Sequence, residues 1–423
     1  MSARHILKLL VFAHKPPPHH GQSYMVQLLL DALGGDVRQR EAGTPVPEVC
    51  CYHLDARFSA TSGDIGKAGA GKVLLAFRFV LTAIWWRVRH GVANLYYIPA
   101  PPLRAAVYRD WIVLGLCRPF FRRTVYHWHA AGLGEWLQKQ ARPWERWISQ
   151  FVYAGANPSI VLRGFNRTDG VLLRARRIVV TPNGIPDPCP AFDTEVLPRR
   201  LARVSVRKAL LARRALKANG DKAAGDDAPV FRVLFLSLCF REKGLFDAVE
   251  AIALARRQLE PAGISVRLAV AGAFWVESER KEFEERIRQP DLQEGGQPMV
   301  EYHGFAAGDA KRRLYLESDC LCFPTYYSGE SFGLVLLEGM AFGLPLVATT
   351  WRDIPEILPA NSPGIVPPQS PGKIADALVA HAGSDYDPGL RAHFLAHYTV
   401  ERFASRMREV LLSVEGNNGR GAS

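Results

Sequence analysis

Two glutamates, Glu330 and Glu338, lie in the stretch Tyr326 to Leu358, YYSGESFGLVLLEGMAFGLPLVATTWRDIPEIL. Glu330 follows Ser328-Gly329, a loop pair, while Glu338 falls in an apolar run, Phe332 to Phe342, that reads as a helix. Eight helical positions span ~12 Å, and less when the first carboxylate sits in the loop. Between the two lies a helix N-terminus, whose N–H groups near Gly333 and Leu334 favour an anion. A carboxylate, an anion cradle and a second carboxylate in a row suit a nucleotide-sugar, with its sugar hydroxyls, diphosphate and ribose hydroxyls. Two glutamates at this spacing also arise by chance, so the elements around them must decide.

Cys320-Leu-Cys-Phe, ending at Pro324, is a short apolar run suited to a buried parallel strand, and Pro345-Leu-Val-Ala-Thr349 is a second. Strand, loop, helix and strand make a βαβ unit, and ligands bind at the carboxyl ends of such strands. The chain reads Pro324-Thr325, Glu330-Ser-Phe-Gly333, Glu338-Gly-Met-Ala-Phe-Gly-Leu-Pro345 and Ile354-Pro355-Glu356-Ile357. This resembles the nucleotide-sugar-binding half of retaining glycosyltransferases of the GT-B fold, family 4 in particular (glycosyl transferases group 1). The resemblance implies an α/β protein of two Rossmann-like domains facing across a cleft. It also implies donor-binding roles for Ser331, Phe332, Gly333, Leu334 and Glu338.

Composition fits two domains: 423 residues, 48% hydrophobic and 22% charged. No apolar run approaches the ~20 residues of a membrane span. Ile6 to Ala13 carries a Lys and lacks a small-residue cleavage site, so it reads as a first buried strand rather than a signal peptide. Seven cysteines with no C-x-x-C pair argue against a disulfide framework or a zinc site. A cytoplasmic protein without cofactor or metal is expected. The net charge is +12, of which Pro198 to Lys222, with nine Lys/Arg and Asp221, supplies +8. No nucleic-acid module accompanies that run, so nucleic acid is not an expected partner.

Along the chain, the first strand runs into Lys15-Pro-Pro-Pro-His-His-Gly21, ahead of an apolar helix from Tyr24 to Leu33. In the resembled family this loop faces the donor phosphate, which gives Gly21 that part; a tight connection with no ligand is the alternative. The run from Lys72 to Arg89 reads as a helix, apolar on most sides. It is expected to be buried against a sheet, although Trp beside Arg also suits a membrane–water interface. Arg122 to Trp128 is a strand ending in His127-Trp-His129. By resemblance a histidine here faces the donor sugar, and His129 is chosen over His127. Pro182-Asn-Gly-Ile185 resembles the signature that closes the first domain, taken as 1–186. Residues 187–229 read as an inserted basic linker and 230–394 as the donor domain. A final helix over 395–415 is expected to cross back to the first domain.

In the donor domain the family's Gly-Arg-Leu-x-x-x-Lys-Gly clamp on the diphosphate is matched by Lys243-Gly244, but Leu238 stands where the arginine is expected. Arg241, three residues on, is the candidate substitute. His303-Gly304-Phe305 resembles the loop that meets the nucleobase. The resemblance implies a UDP- or GDP-sugar donor and a hydroxyl acceptor of a lipid-linked or polysaccharide precursor, attacked on the same face so that configuration is retained. Glu330 and His129 are then the catalytic candidates. Asp385-Tyr-Asp387 spells Asp-x-Asp but does not follow a strand, and is set aside as a metal motif. Two other classes share these features: a nucleotide-sugar epimerase or phosphorylase on the same fold, and a catalytically weak scaffold at the membrane, which the lost arginine would suit. The basic run, with Leu201, Val204 and Leu211 near one helical face, is expected to lie on an anionic bilayer with its arginines outward.

Overall fold

The computed structural model describes residues 6–17, 20–58, 70–216 and 229–416. The chain divides into two compact units, Met1–Ile185 with Tyr398–Ser423, and Pro186–His397.

The first unit is built on six parallel strands. They are β1 (Leu7–Phe12), β2 (Val49–Leu54), β3 (Asn94–Tyr97), β4 (Arg123–His127), β5 (Ser159–Val161) and β6 (Ile178–Val180), in the order β2-β1-β3-β4-β5-β6. Their near-continuous apolar character follows from burial on both faces: β2 and β3 are buried at every position. The sheet reverses direction at β1, so the carboxyl ends of β1 and β3 bound the crevice where ligands of such sheets bind. The helix Gly21–Ala32 leaves β1 at that edge, and His127 closes β4 there. The last helix, Val400–Gly416, packs on the helix Gly21–Ala32 and on β1 and β2.

The second unit holds β7 (Val230–Leu236), β8 (Ser265–Ala271), a two-stranded hairpin of β9 (Gln293–Glu294) and β10 (Gln297–Pro298), then β11 (Val300–Tyr302), β12 (Cys320–Phe323), β13 (Leu346–Thr349) and β14 (Ile365–Val366). Its parallel sheet has the order β11-β8-β7-β12-β13-β14. The reversal lies between β7 and β12, and the loops after these two strands meet there. Gly244 makes the meeting close: with φ +78°, a Cβ at this position would sit 2.2 Å from the Pro324 carbonyl oxygen.

Residues 187–229 were expected to form an inserted basic linker with outward arginines. The helix Leu197–Leu216 instead belongs to the second unit and turns arginines inward. Arg207 is 3% exposed and Arg200 2%. Asp319, at the start of β12, takes Arg203 Nε at 2.8 Å and Arg207 at 3.2 Å. Arg200 donates to the Ser318 carbonyl at 3.4 Å, and Arg207 lies 5.2 Å over the Phe231 ring. Leu201 is exposed, but Leu211, expected on the same lipid-facing side, packs against the core of the second unit. The physical reason is Asp319: a buried carboxylate recruits the cations that charge counting had assigned to solvent. Lys217 and Lys222 of the basic run lie outside the described residues.

Candidate functional site

In the second unit the site grows from the β7 and β12 loops. Arg241–Lys243 forms a single 3-10 turn after β7, and Gly244 begins the helix Leu245–Leu259. The backbone N–H of Tyr326 donates to the Glu242 carbonyl at 2.8 Å, which ties the β12 loop to this turn. Lys243 Nζ then lies 2.5 Å from Glu330 Oε2, and both side chains are nearly buried, 12% and 10% exposed. The ammonium is also 5.1 Å from the centre of the Tyr327 ring. Lys243 and Glu330, 87 positions apart in the chain, therefore form one ion pair.

The expected helix over 332–342 is observed as Leu334–Ala341, capped by Gly333 at φ 74°. A Cβ on Gly333 would stand 2.9 Å from the Phe323 ring, so a side chain there is disfavoured by both conformation and space. Ser331 and Phe332 are buried ahead of this cap. The first N–H groups of any helix have no partner within it, and here they follow directly on the Lys243–Glu330 pair.

Glu338 sits in the second turn of that helix. Its two oxygens are held by Lys311 Nζ at 2.5 Å and the Tyr315 hydroxyl at 2.6 Å. The Tyr315 ring stacks on Phe342 at 4.8 Å and 3°. Neither Lys311 nor Tyr315 was singled out from sequence. Their signal was spacing: they lie four residues apart on the helix Gly308–Glu317, and so share a face. Gly304, at φ +66°, offers its carbonyl to the Gly272 N–H at 2.8 Å, with open space on its Cβ side, and Phe305 beside it is exposed.

Arg241 is not held ready to replace the missing cation. Its guanidinium grips Glu282 with both contacts at 2.6 Å, and its backbone N–H donates to Glu279 at 2.8 Å. Leu238, at the position of the expected arginine, is exposed. Asp385 is bound to Lys208 at 2.5 Å, and Asp387 accepts from the Gly389 N–H at 2.8 Å. Among the described residues, no group of three or more His, Cys, Asp and Glu side chains could hold a metal ion.

In the first unit, Gly21 is the first residue of its helix, and His20 caps it by accepting from the Ser23 N–H at 3.3 Å. His14 Nε2 lies 2.9 Å from His20 Nε2. His127 and His129 are neighbours, with ring centroids 4.1 Å apart, and the Tyr96 hydroxyl meets His127 Nδ1 at 2.5 Å. Burial, and then the proximity of His20, push the His129 imidazole down to about 3, so it is neutral at ordinary pH. Burial and then His129 lower His127 well below its usual value. The sequence alternatives thus occupy one cluster, with His127 buried and His129 half-buried.

Residues 221–380 match the family model described as glycosyl transferases group 1. That match takes in 160 of the 423 residues. The chain is 37% identical over 117 residues to the phosphatidyl-myo-inositol mannosyltransferase of Mycobacterium leprae, covering 27% of this chain and 29% of that one. It is 26% identical over 152 residues to the amylovoran biosynthesis glycosyltransferase AmsK of Erwinia amylovora, covering 35% of each. The chain spans less than about two fifths of the length of the curated relatives it matches. Likeness to solved structures runs much further. Sucrose-phosphate synthase from Thermosynechococcus elongatus gives a TM-score of 0.62 at 18% identity, over 97% of this chain and 99% of that one. Anabaena HepE in complex with UDP and glucose gives 0.58 at 17% identity, over 96% and 100%. The fold is that of the GT-B glycosyltransferases, with two parallel-sheet α/β domains.

Proposed function

We propose that the protein transfers a sugar from a nucleoside-diphosphate sugar to a hydroxyl acceptor of a growing glycan, with retention of configuration as in family 4. The observation that carries this reading is the nearly buried Lys243–Glu330 pair at the head of the Gly333-capped helix, with Glu338 one turn further on. A diphosphate needs fixed positive charge where negative charge develops as it leaves. Lys243 and the helix N–H groups supply that in a site already organised. Glu330, released from Lys243 by the incoming phosphates, orients sugar hydroxyls. Glu338, fixed by Lys311 and Tyr315, takes the ribose hydroxyls. Gly304 and Phe305 meet the base, and Gly21 leaves room for phosphate. His129 acts as a neutral hydrogen-bonding group toward the reacting sugar, because its depressed basicity makes it unfit as a general acid.

Support for a nucleotide-sugar donor comes from the fold likeness to a protein solved with UDP and with UDP-glucose. The test is a panel of UDP- and GDP-sugars with polyprenyl-linked and free saccharide acceptors. Transfer with an unchanged anomeric configuration is expected. Release of nucleoside diphosphate from no donor, or epimerisation without transfer, would overturn the reading.

A further inference from the structure

In the first unit, right-handed crossovers put the helices Ala70–His90, Arg104–Cys117 and Pro143–Tyr153 on one face of the sheet, the first and third flanking the second. The first of these is amphipathic in an unusual sense. It buries Ala76, Val80, Ala83 and Trp86, while Leu74, Phe77, Leu81, Trp85 and Val88 are exposed along its other side. Beside it, Leu116 and Phe120 are exposed at the end of the second helix. On the third, Trp147 and Phe151 are 69% and 73% exposed. Monomeric proteins rarely leave so many large apolar side chains open on one face.

The charges on this face have one sign. The first helix carries Lys72, Arg78, Arg87 and Arg89 and no acid. The other two add Arg104, Arg109 and Arg146, and their only acids, Asp110 and Glu145, are fully buried. Asp110 accepts from the Tyr97 and Tyr153 hydroxyls at 2.7 and 2.9 Å. Glu145 accepts from Arg104 at 3.1 Å. At the amino-terminal edge of the sheet, below the helix ends, opens a cavity of about 650 Å³. Arg118, Arg122, Arg123 and Arg176 line it together with Phe151, and its lining contains no carboxylate. Arg118 is turned to the Val152 and Ala154 carbonyls, which leaves the exposed Arg122 and Arg176 at the opening.

We propose that this face of the first domain lies on an anionic bilayer, with its aromatic and aliphatic side chains in the interface and the arginine cavity over lipid phosphates. Apolar residues rimmed by cations, with no acid exposed on the three helices, match that surface and no neutral one. A second copy of the chain fits poorly, because a symmetric contact would set cation against cation. This membrane face is not the basic helix Leu197–Leu216, where Arg203 and Arg207 are committed to Asp319.

The test is sedimentation of the full chain with phosphatidylcholine vesicles and with vesicles that also contain phosphatidylglycerol; it reads binding alone and is independent of turnover. Binding to the anionic vesicles only, weakened by salt, is expected. Arg122→Gln with Arg176→Gln is expected to lower partitioning roughly 30-fold at low salt, from the known contribution of a cation near such a surface. Leu81→Ser with Trp85→Ser is expected to lower it at least about tenfold. Arg199→Gln with Lys208→Gln is expected to leave it unchanged. In the unaltered chain, tryptophan emission is expected to be quenched by brominated acyl chains, a readout that needs no variant. Equal binding to both vesicle types, loss of binding in Arg199→Gln/Lys208→Gln instead, or a dimer that Leu81→Ser/Trp85→Ser converts to monomer without lipid would each overturn the proposal.

Discussion

Lys243→Met separates the two jobs that the Lys243–Glu330 pair performs. Methionine keeps most of the stem's volume and removes the charge. In the free protein the change leaves the Glu330 carboxylate, 10% exposed, without its cation at 2.5 Å. Removing one partner of a fully buried pair costs about 3–5 kcal/mol. The remaining exposure and the 3.5 Å contact from Thr325 Oγ1 place this case near about 2–3 kcal/mol. For the ligand, one charge-assisted hydrogen bond is worth about 1.5–3 kcal/mol, or roughly 10- to 150-fold in affinity. The lower end applies, because in the unaltered protein the diphosphate must first compete with Glu330 for the ammonium. Calorimetric titration with nucleoside diphosphate is therefore expected to show about tenfold weaker binding by Lys243→Met, alongside a lowered unfolding midpoint. Glu330→Gln removes the competitor, so its diphosphate affinity is expected to equal or exceed that of the unaltered protein while turnover falls. A folded Lys243→Met protein that binds diphosphate within about twofold of the original would refute the reasoning.

Four further outcomes follow from the same geometry. Glu338→Ala strands Lys311 and is expected to weaken nucleotide binding more than it lowers turnover; an unchanged affinity in calorimetry would count against the ribose assignment. Because Glu282 already holds Arg241, Arg241→Ala is expected to leave diphosphate affinity within about twofold, whereas Leu238→Arg raises it, as the same titration would show. Since Lys243 and helix N–H groups meet the diphosphate charge, turnover is expected to survive EDTA, and abolition with rescue by a divalent ion would contradict this. His129 is held neutral, so its contribution to stability is complete above pH 6.5 and is lost as pH falls toward about 3. That is about 2 kcal/mol between pH 6.5 and 5, readable as a urea midpoint shift that shrinks in His129→Gln.

The arrangement of the candidate donor half was legible because its residues are contiguous. Glu330, Gly333 and Glu338 lie on one loop and one helix, and the apolar runs on either side could only be strands of a βαβ unit. Lys243 was legible for a similar reason, through the Lys-Gly pair after a strand. What holds Glu338 was not, because Lys311 and Tyr315 come from a separate helix and only the sheet order brings that helix alongside. The pairing of Arg241 was not legible, because a sequence shows a cation near the right place but not Glu282, which lies 41 positions further on and accepts from it.

The two basic regions show that charge counting along a chain does not tell which cations face solvent. Nine cations in one run suggest an outward face, yet a single buried carboxylate, Asp319, with the carbonyls around it, draws Arg200, Arg203 and Arg207 inward. The helix Ala70–His90 has fewer cations and no acid. It was expected to pack as core, and one side of it does. Its other side, together with two helices distant in sequence, makes a surface whose acids are all internal. What decides the character of a surface is therefore which charges find buried partners, and that depends on contacts between elements. A helix with cations but an acid beneath it becomes structure. A helix with cations and no acid beneath it remains available to an external anion.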